Sequence, residues 1–356
     1  MNVYKINKIP SYDITKIVLY NYNNETRKTI LSNFKNYTQL KIFDCNYCNL
    51  TELPDLPKSL TDLYCSDCYL TKLPDLPNSL AHLDCSKNKL TELHYLPNSL
   101  IYLRCYNNNL TELPKLPNSL INLECGNNDL IKLPKLPNSL THLDCSNNNL
   151  TELPNLPNSL TYLFCCNNNL TELPNLPNSL KSLRCSHNNL TELPDLPNSL
   201  NNLRCYNNNL TELPNLPNSL TQLFCSNNNL TKLPDLPNTL IHIDCHNNNL
   251  LELPELPDLL RELYCNNNKL TELPDLSNLL IYLDYGNNNL TYLNMDNKTI
   301  NETNLKNKII KKMKLLNRTL LLEWSARITM NPKRIERLLN TNEINFFDGS
   351  FDTLTS

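Results

Sequence analysis

The chain has 356 residues, among them 24 Pro, 15 Cys and 3 Gly, at a formal net charge of −3. Three scattered glycines, Gly126, Gly286 and Gly349, exclude a dinucleotide fingerprint or a P-loop, which need several close together so that backbone can approach phosphate. No run of about 18 apolar residues is present, which excludes a membrane-spanning helix. Residues 1–8 have no apolar segment of signal-peptide type, so the chain is expected in the cytoplasm with reduced thiols.

Residues 1–39 carry six Lys/Arg against Asp13 and Glu25 and show no internal repeat. Ile14 to Leu19 reads as a strand, and Asn24 to Phe34 as a helix opened by an asparagine cap. The expected role is an N-terminal cap over whatever follows; a small binding module is the alternative.

From residue 40 to 293 one frame of 20 residues recurs about thirteen times. Its form at 140–159 is Leu140-Thr-His-Leu143-Asp-Cys145-Ser-Asn-Asn148-Asn-Leu150-Thr-Glu-Leu153-Pro154-Asn-Leu156-Pro157-Asn-Ser159. A fixed period of this kind is the signature of a solenoid. Leu140, Leu143 and Cys145 are expected to point inward from a short strand, with Thr141, His142, Asp144 and Ser146 on the concave face or its rim. Leu150, Leu153 and Leu156 would fill the interior from the turn and return segment. Two prolines per return segment forbid a helix and favour extended polyproline geometry on the convex side. Asn148 is expected to bond backbone groups of its own turn and the next coil. The position is Asn from Asn88 to Asn288, and Cys48 and Cys68 in the first two coils.

Cys45-x-x-Cys48 and Cys65-x-x-Cys68 together have a zinc-ribbon spacing. The frame gives a plainer account, because Cys45 and Cys65 open a column that continues through Cys265, and a small apolar residue repeated on every strand is core filler. Cys166 lies at a solvent-facing position and reads as an accessible thiol with no base nearby in sequence. Asn-Leu-Thr, as at Asn149, matches a glycosylation sequon but reads as repetition of an Asn-rich sequence.

The central strand column varies where the Leu and Cys columns do not: Asp44, Tyr64, Asp84, Arg104, Glu124, Asp144, Phe164, Arg184, Arg204, Phe224, Asp244, Tyr264, Asp284. Phe164, Arg184, Arg204 and Phe224 fall on four successive coils, with Tyr162 and Tyr206 beside them; Tyr102, Arg104 and Tyr106 make a second cluster. Aromatic and Arg side chains dominate interface energetics, so these residues and Tyr264 are the expected partner-binding set. Acids around both clusters suggest a partner with basic as well as apolar features and argue against nucleic acid on this face. His242, Asp244 and His246 alternate on one strand face and could chelate a metal, although chance on a variable surface accounts for them.

After residue 293 the register dissolves. Leu305, Ile309, Met313, Leu316, Leu320 and Trp324 have helical spacing, and Asn331-Pro332 opens a second helix. Residues 297–356 carry eleven Lys/Arg against six acids, so the repeats between the two basic ends hold the acidic excess. Residues 294–356 are expected to be a helical, basic C-terminal cap; contact with membrane, nucleic acid or another copy is the alternative.

The frame Leu-x-x-Leu-x-Cys-x-x-Asn-x-Leu-Thr-x-Leu-Pro-x-Leu-Pro resembles leucine-rich repeats, and so implies a horseshoe solenoid with short parallel strands on its concave face. It is similar to the 20-residue repeats of bacterial effectors, some of which end in a ubiquitin-ligase domain with a catalytic cysteine. Residues 286–356 contain no Cys and no His, so that activity does not transfer. The Asn-rich, Gly-poor Leu-Pro-x-Leu-Pro form also resembles the leucine-rich-repeat proteins of giant viruses such as mimiviruses, which implies a viral protein in host cytoplasm. Function is expected to be non-enzymatic: a monomeric scaffold, without cofactor or metal, binding an unknown host or viral protein or peptide. An adaptor or ligase-like effector acting through Cys166 or the C-terminal region is the alternative, and zinc-dependent folding through Cys45, Cys48, Cys65 and Cys68 a third.

Overall fold

The structure, a computed structural model, describes residues 8–290. The chain divides into two compact units at Leu190 and Thr191. The helical cap expected over 294–356 lies outside the described residues.

The first unit opens with β1 (Lys16–Val18) and α1 (Asn24–Ser32). Asn23 starts the helix as expected of an asparagine cap, its side chain accepting from Thr26 N at 2.7 Å and so satisfying one orphan donor of the first turn. The expected helix ends two residues early, and Phe34 begins a separate 3-10 turn, Phe34–Asn36. That break lets Phe34 and Tyr37 turn inward. Both are buried with Ile17, Leu19 and Ile30, and the Phe34 ring meets Phe43 of the first coil at 4.5 Å. Arg27 ties the segment together by donating to the carbonyls of Leu19 and Tyr20.

Eight coils follow, each contributing one strand: β2 (Ile42–Asp44), β3 (Asp62–Tyr64), β4 (His82–Asp84), β5 (Tyr102–Arg104), β6 (Asn122–Glu124), β7 (His142–Asp144), β8 (Tyr162–Phe164) and β9 (Ser182–Arg184). From β1 to β9 each strand pairs in parallel with the next, residue 20 against residue 20 once the repeats begin. The second unit repeats this with β10 (Asn202–Arg204), β11 (Gln222–Phe224), β12 (His242–Asp244), β13 (Glu262–Tyr264) and β14 (Tyr282–Asp284). Both units are parallel-sheet solenoids. The central residue of every strand is buried, a Leu, Ile or Phe, and its two neighbours lie on the solvent side at least partly exposed, except Ser182 of β9, which is buried.

The residue immediately before each Asn or Cys rung has a positive φ, from 51° to 57° along the column from Tyr47 to Asn287. This left-handed conformation is one that Asn tolerates better than most side chains, which accounts for the Asn-Asn pairs of the frame. The return segments are extended and non-helical in the described residues, as their prolines require. One placement differs from the sequence expectation. Leu156 is half-buried, and Pro157 takes the interior place instead, because the turn closing the coil begins there: Leu160 N donates to Pro157 O at 3.0 Å. In the coils of Leu96, Leu116 and Leu136 both residues are buried.

Two side-chain ladders fasten coil to coil. Asn168 donates through Nδ2 to Cys145 O at 3.1 Å and Cys165 O at 3.2 Å, while its Oδ1 accepts Leu150 N at 3.0 Å. In the second unit Asn228 makes the same three bonds, to Cys205 O, Cys225 O and Leu210 N. Cys68 reaches the equivalent carbonyl, Cys45 O, with its thiol at 3.2 Å, so the early Cys rungs are a sulfur version of the same contact. The second ladder has no counterpart in the sequence reading: Ser159 Oγ donates to Leu140 O at 2.6 Å and to Asn138 O at 2.8 Å, both in the preceding coil. Ser59 to Ser179 reach the same leucine carbonyl of the preceding coil in the first unit, and Ser219 and Thr239 in the second.

Replacing Asn168 by Ala leaves the Leu150 amide and two buried carbonyls unpaired, and is expected to lower unfolding free energy by about 1–3 kcal/mol in urea titration. Asn168→Cys should recover part of that loss, because a thiol already serves as a rung at Cys68. A loss equal to that of Ala would show that sulfur is no substitute.

Candidate interaction face on the strands

The solvent side of the sheet is built from the first and third residue of each strand. In the first unit it is a set of lateral stacks between neighbouring strands. Tyr102 packs on His82 with centroids 4.9 Å apart, and Tyr162 on His142 at 4.5 Å. Arg184 lies across Phe164, its Cζ 4.3 Å from the ring centroid. Residues 164 and 184 are direct partners in the parallel register, so the stack follows from strand spacing alone. Phe164 is therefore half-buried beneath a guanidinium rather than bare on the sheet. Arg104 is exposed and pairs with Glu124, Nε to Oε1 at 3.0 Å. Tyr106 lies beyond the strand end, where its carbonyl accepts Lys87 N.

The second unit carries a longer run. Arg204 lies over Phe224 at 4.6 Å, Phe224 meets His242 at 4.4 Å, and His242 meets Tyr264 at 5.5 Å. Tyr264 in turn stacks on Tyr282 at 4.5 Å. Tyr206 is half-buried past the end of β10. Burial pushes the Tyr264 hydroxyl up to about 12, and the charge of Glu262 adds to it. The candidate residues of each unit thus share one sheet face. His82, His142, His242 and Tyr282, which were outside the sequence-based set, complete their stacks. Their signal was present: they occupy the first strand position, one column before the one that was scanned.

Most carboxylates of this face are used within the chain. Asp44, Asp84, Asp144 and Asp284 each accept the backbone N–H two residues on, at 3.0–3.2 Å, which pins the strand exit. Asp62 stands 2.7 Å from His82, and Glu262 3.1 Å from His242. His246 pairs with Asp244 at 2.5 Å, so His242 and His246 go to different acids. Among the described residues no three Cys, His, Asp or Glu side chains stand together as metal ligands. That applies to the zinc-like spacing too, whose Cys48 and Cys68 thiols are spent on carbonyls. Cys166 is half-buried, and burial pushes its thiol up, which opposes nucleophilic chemistry at neutral pH. No helix among the described residues is long and apolar enough to cross a membrane.

A parallel solenoid with a Leu core, a polar rung in nearly every coil and a variable strand face defines the class of stacked repeat proteins, whose extended surfaces are typically used for binding. The leucine-rich-repeat family model matches residues 139–158. The YopM leucine-rich effector of Yersinia pestis is 36% identical, over 76% of this chain and 90% of that one, with a TM-score of 0.58. YopM of Yersinia enterocolitica is 35% identical over 72% and 71%, with a TM-score of 0.55. The functional domain of InlJ from Listeria monocytogenes, which includes a cysteine ladder, is 33% identical over 73% and 61%, with a TM-score of 0.64. No curated protein matches the chain. The chain belongs to the leucine-rich-repeat proteins, with 20-residue repeats like those of bacterial effectors.

Of the fifteen thiols, fourteen are buried and Cys166 is partly accessible. A disulfide reagent should therefore titrate about one thiol in the folded protein, slowly at pH 7 and faster as pH rises toward and past 9, since the Cys166 thiolate forms late. Cys166→Ser should abolish that phase, and denaturant should release the others. Fast labelling at neutral pH would contradict the assignment.

Proposed function

We propose that the protein is a non-enzymatic scaffold that binds a protein or peptide on the solvent side of its strands. Leucine-rich-repeat proteins typically work as interaction scaffolds, and the observation that carries the reading here is the pair of Arg-on-Phe stacks. Arg184 lies on Phe164 in the first unit and Arg204 on Phe224 in the second, each flanked by stacked Tyr and His rings. Folding does not call for them, because the Leu, Cys and Asn columns hold the coils without them. Preorganised Arg and aromatic groups on a rigid sheet lose little entropy on binding. The contact set comprises Tyr102, Arg104, Tyr106, Tyr162, Phe164, Arg184, Arg204, Tyr206, Phe224 and Tyr264. A monomer working in a reducing cytoplasm accords with fifteen cysteines held as thiols. The Asn-rich frame supports a place among the giant-virus repeat proteins.

A photo-crosslinking side chain at 102, 162 or 264 should give adducts with the partner, whereas the same probe at the exposed return-segment positions 152 and 155 should not. Replacing Phe164, Arg184 and Phe224 by Ser should remove the adducts while circular dichroism stays unchanged. Adducts from the return-segment positions, or adducts that survive the triple substitution, would sink the proposal.

A further inference from the structure

We infer that Arg184 on Phe164 is an anchor for a carboxylate, and that the partner segment seated there is an extended acidic peptide. The inference rests on the proposed sheet-face reading and specifies its partner. Among the described residues Arg184 has no carboxylate within ion-pair distance, and its Nε is buried without a hydrogen-bond partner. The contrast within the first unit is direct: Arg104 spends its Nε on Glu124, and Arg27 spends its own on Leu19 O. The neighbouring acid of the row, Asp144, lies two strands away, about 10 Å at ordinary strand spacing. Its Oδ1 already accepts Ser146 N at 3.0 Å.

The guanidinium is held in place all the same. Phe164 supports the guanidinium by cation–π contact, and no group of the described chain accepts from its Nε. Planar, bidentate pairing makes a carboxylate the fitting group. The stacked rings of Tyr162 and His142 form an apolar shelf one strand back, so the peptide should carry an apolar side chain beside its acid. A nucleic-acid backbone fits less well, because it would bring a row of phosphates past Asp144 and the acidic repeats, whereas a peptide brings one charge to one guanidinium. The sequence pattern alone had pointed to a basic partner. We infer an acidic segment at this one position, because the acids of the row are engaged within the chain and this Arg pairs with none of them.

Random twelve-residue peptides displayed on phage and selected against the full chain test this. Selected peptides should be enriched in Asp or Glu next to an apolar residue. Arg184→Glu should weaken them about tenfold or more and, in a fresh selection, enrich Lys or Arg instead. Arg184→Lys should weaken them less, since charge remains and the planar fork is lost. Neither substitution breaks an ion pair of the described chain, so unchanged circular dichroism and thermal unfolding should accompany both. Peptides that lose binding on Phe164→Ser yet show no acidic enrichment and ignore Arg184→Glu would overturn the carboxylate anchor while leaving the sheet-face reading intact. Peptides indifferent to Phe164, Arg184 and Phe224 alike, or no enrichment at all, would overturn both. Tighter binding when phosphoserine replaces the acid, or displacement by oligouridylate, would assign the anchor to phosphate and overturn the carboxylate.

Discussion

A coil of 20 residues with a three-residue strand cannot satisfy its own backbone. It has too few residues for a helix on the return side and no second strand of its own, so nearly every buried N–H and C=O must be met by the next coil or by a side chain. The Asn rung is the answer to that constraint. One carboxamide, with two donors and an acceptor, closes its own turn through Cys165 O while reaching back to Cys145 O and Leu150 N. Leu alone could fill such a coil, but a Leu core offers nothing to the carbonyls that turn inward at the strand exit.

The rest of the architecture follows from where the rungs must lie. Holding the Asn inward requires the residue just before it to be left-handed or nearly so, which is why polar, turn-tolerant residues crowd that corner. Holding the return segment close enough for Ser159 to reach the previous coil at 2.6 Å excludes a helix there, and the prolines make the exclusion permanent. The column cysteines are then what remains of the space: a side chain small enough for strands about 4.8 Å apart, with a buried thiol pushed up, as Cys205 is to about 12, and so inert. At the N-terminal edge no earlier coil exists to accept the first one. There β1 supplies the missing strand, and Phe34 and Tyr37 supply the missing apolar surface.

Much of this was legible in the chain because periodicity multiplies a weak signal. A single Leu-x-x-Leu is uninformative, yet one recurring at fixed spacing marked the strand centres, the inward Cys column and the place of the Asn rung; the rung's direction it did not mark, because the carboxamide bonds its own turn and the preceding coil where the next one was expected. What stayed illegible was set by direction rather than by type. Ser159 looked like one more turn residue, since nothing in its identity says that its hydroxyl faces the neighbouring coil. Leu156 and Pro157 are both apolar, and only the turn starting at Pro157 decides which goes inside. On the sheet face the same limit appears. The central column named Phe164, Arg184, Arg204 and Phe224, but a list of one column cannot show that His142 or Tyr282 stacks from the adjacent one.

Separation of inside from outside is what lets such a chain change its partner without refolding. The rungs and the Leu columns hold the coils whatever occupies the first and third strand positions, so those positions are free to vary, and here they do. Yet they are not independent of the scaffold. Parallel register places residue 164 beside 184 and 224 beside 244, and so turns a one-dimensional sequence of substitutions into fixed lateral pairs. An Arg introduced one coil after a Phe becomes a stacked cation; the same Arg one coil before a Glu becomes an ion pair, as Arg104 does. The chemistry offered to a partner is therefore decided by the order of side chains along successive coils, and a partner that reads this face reads neighbouring coils together.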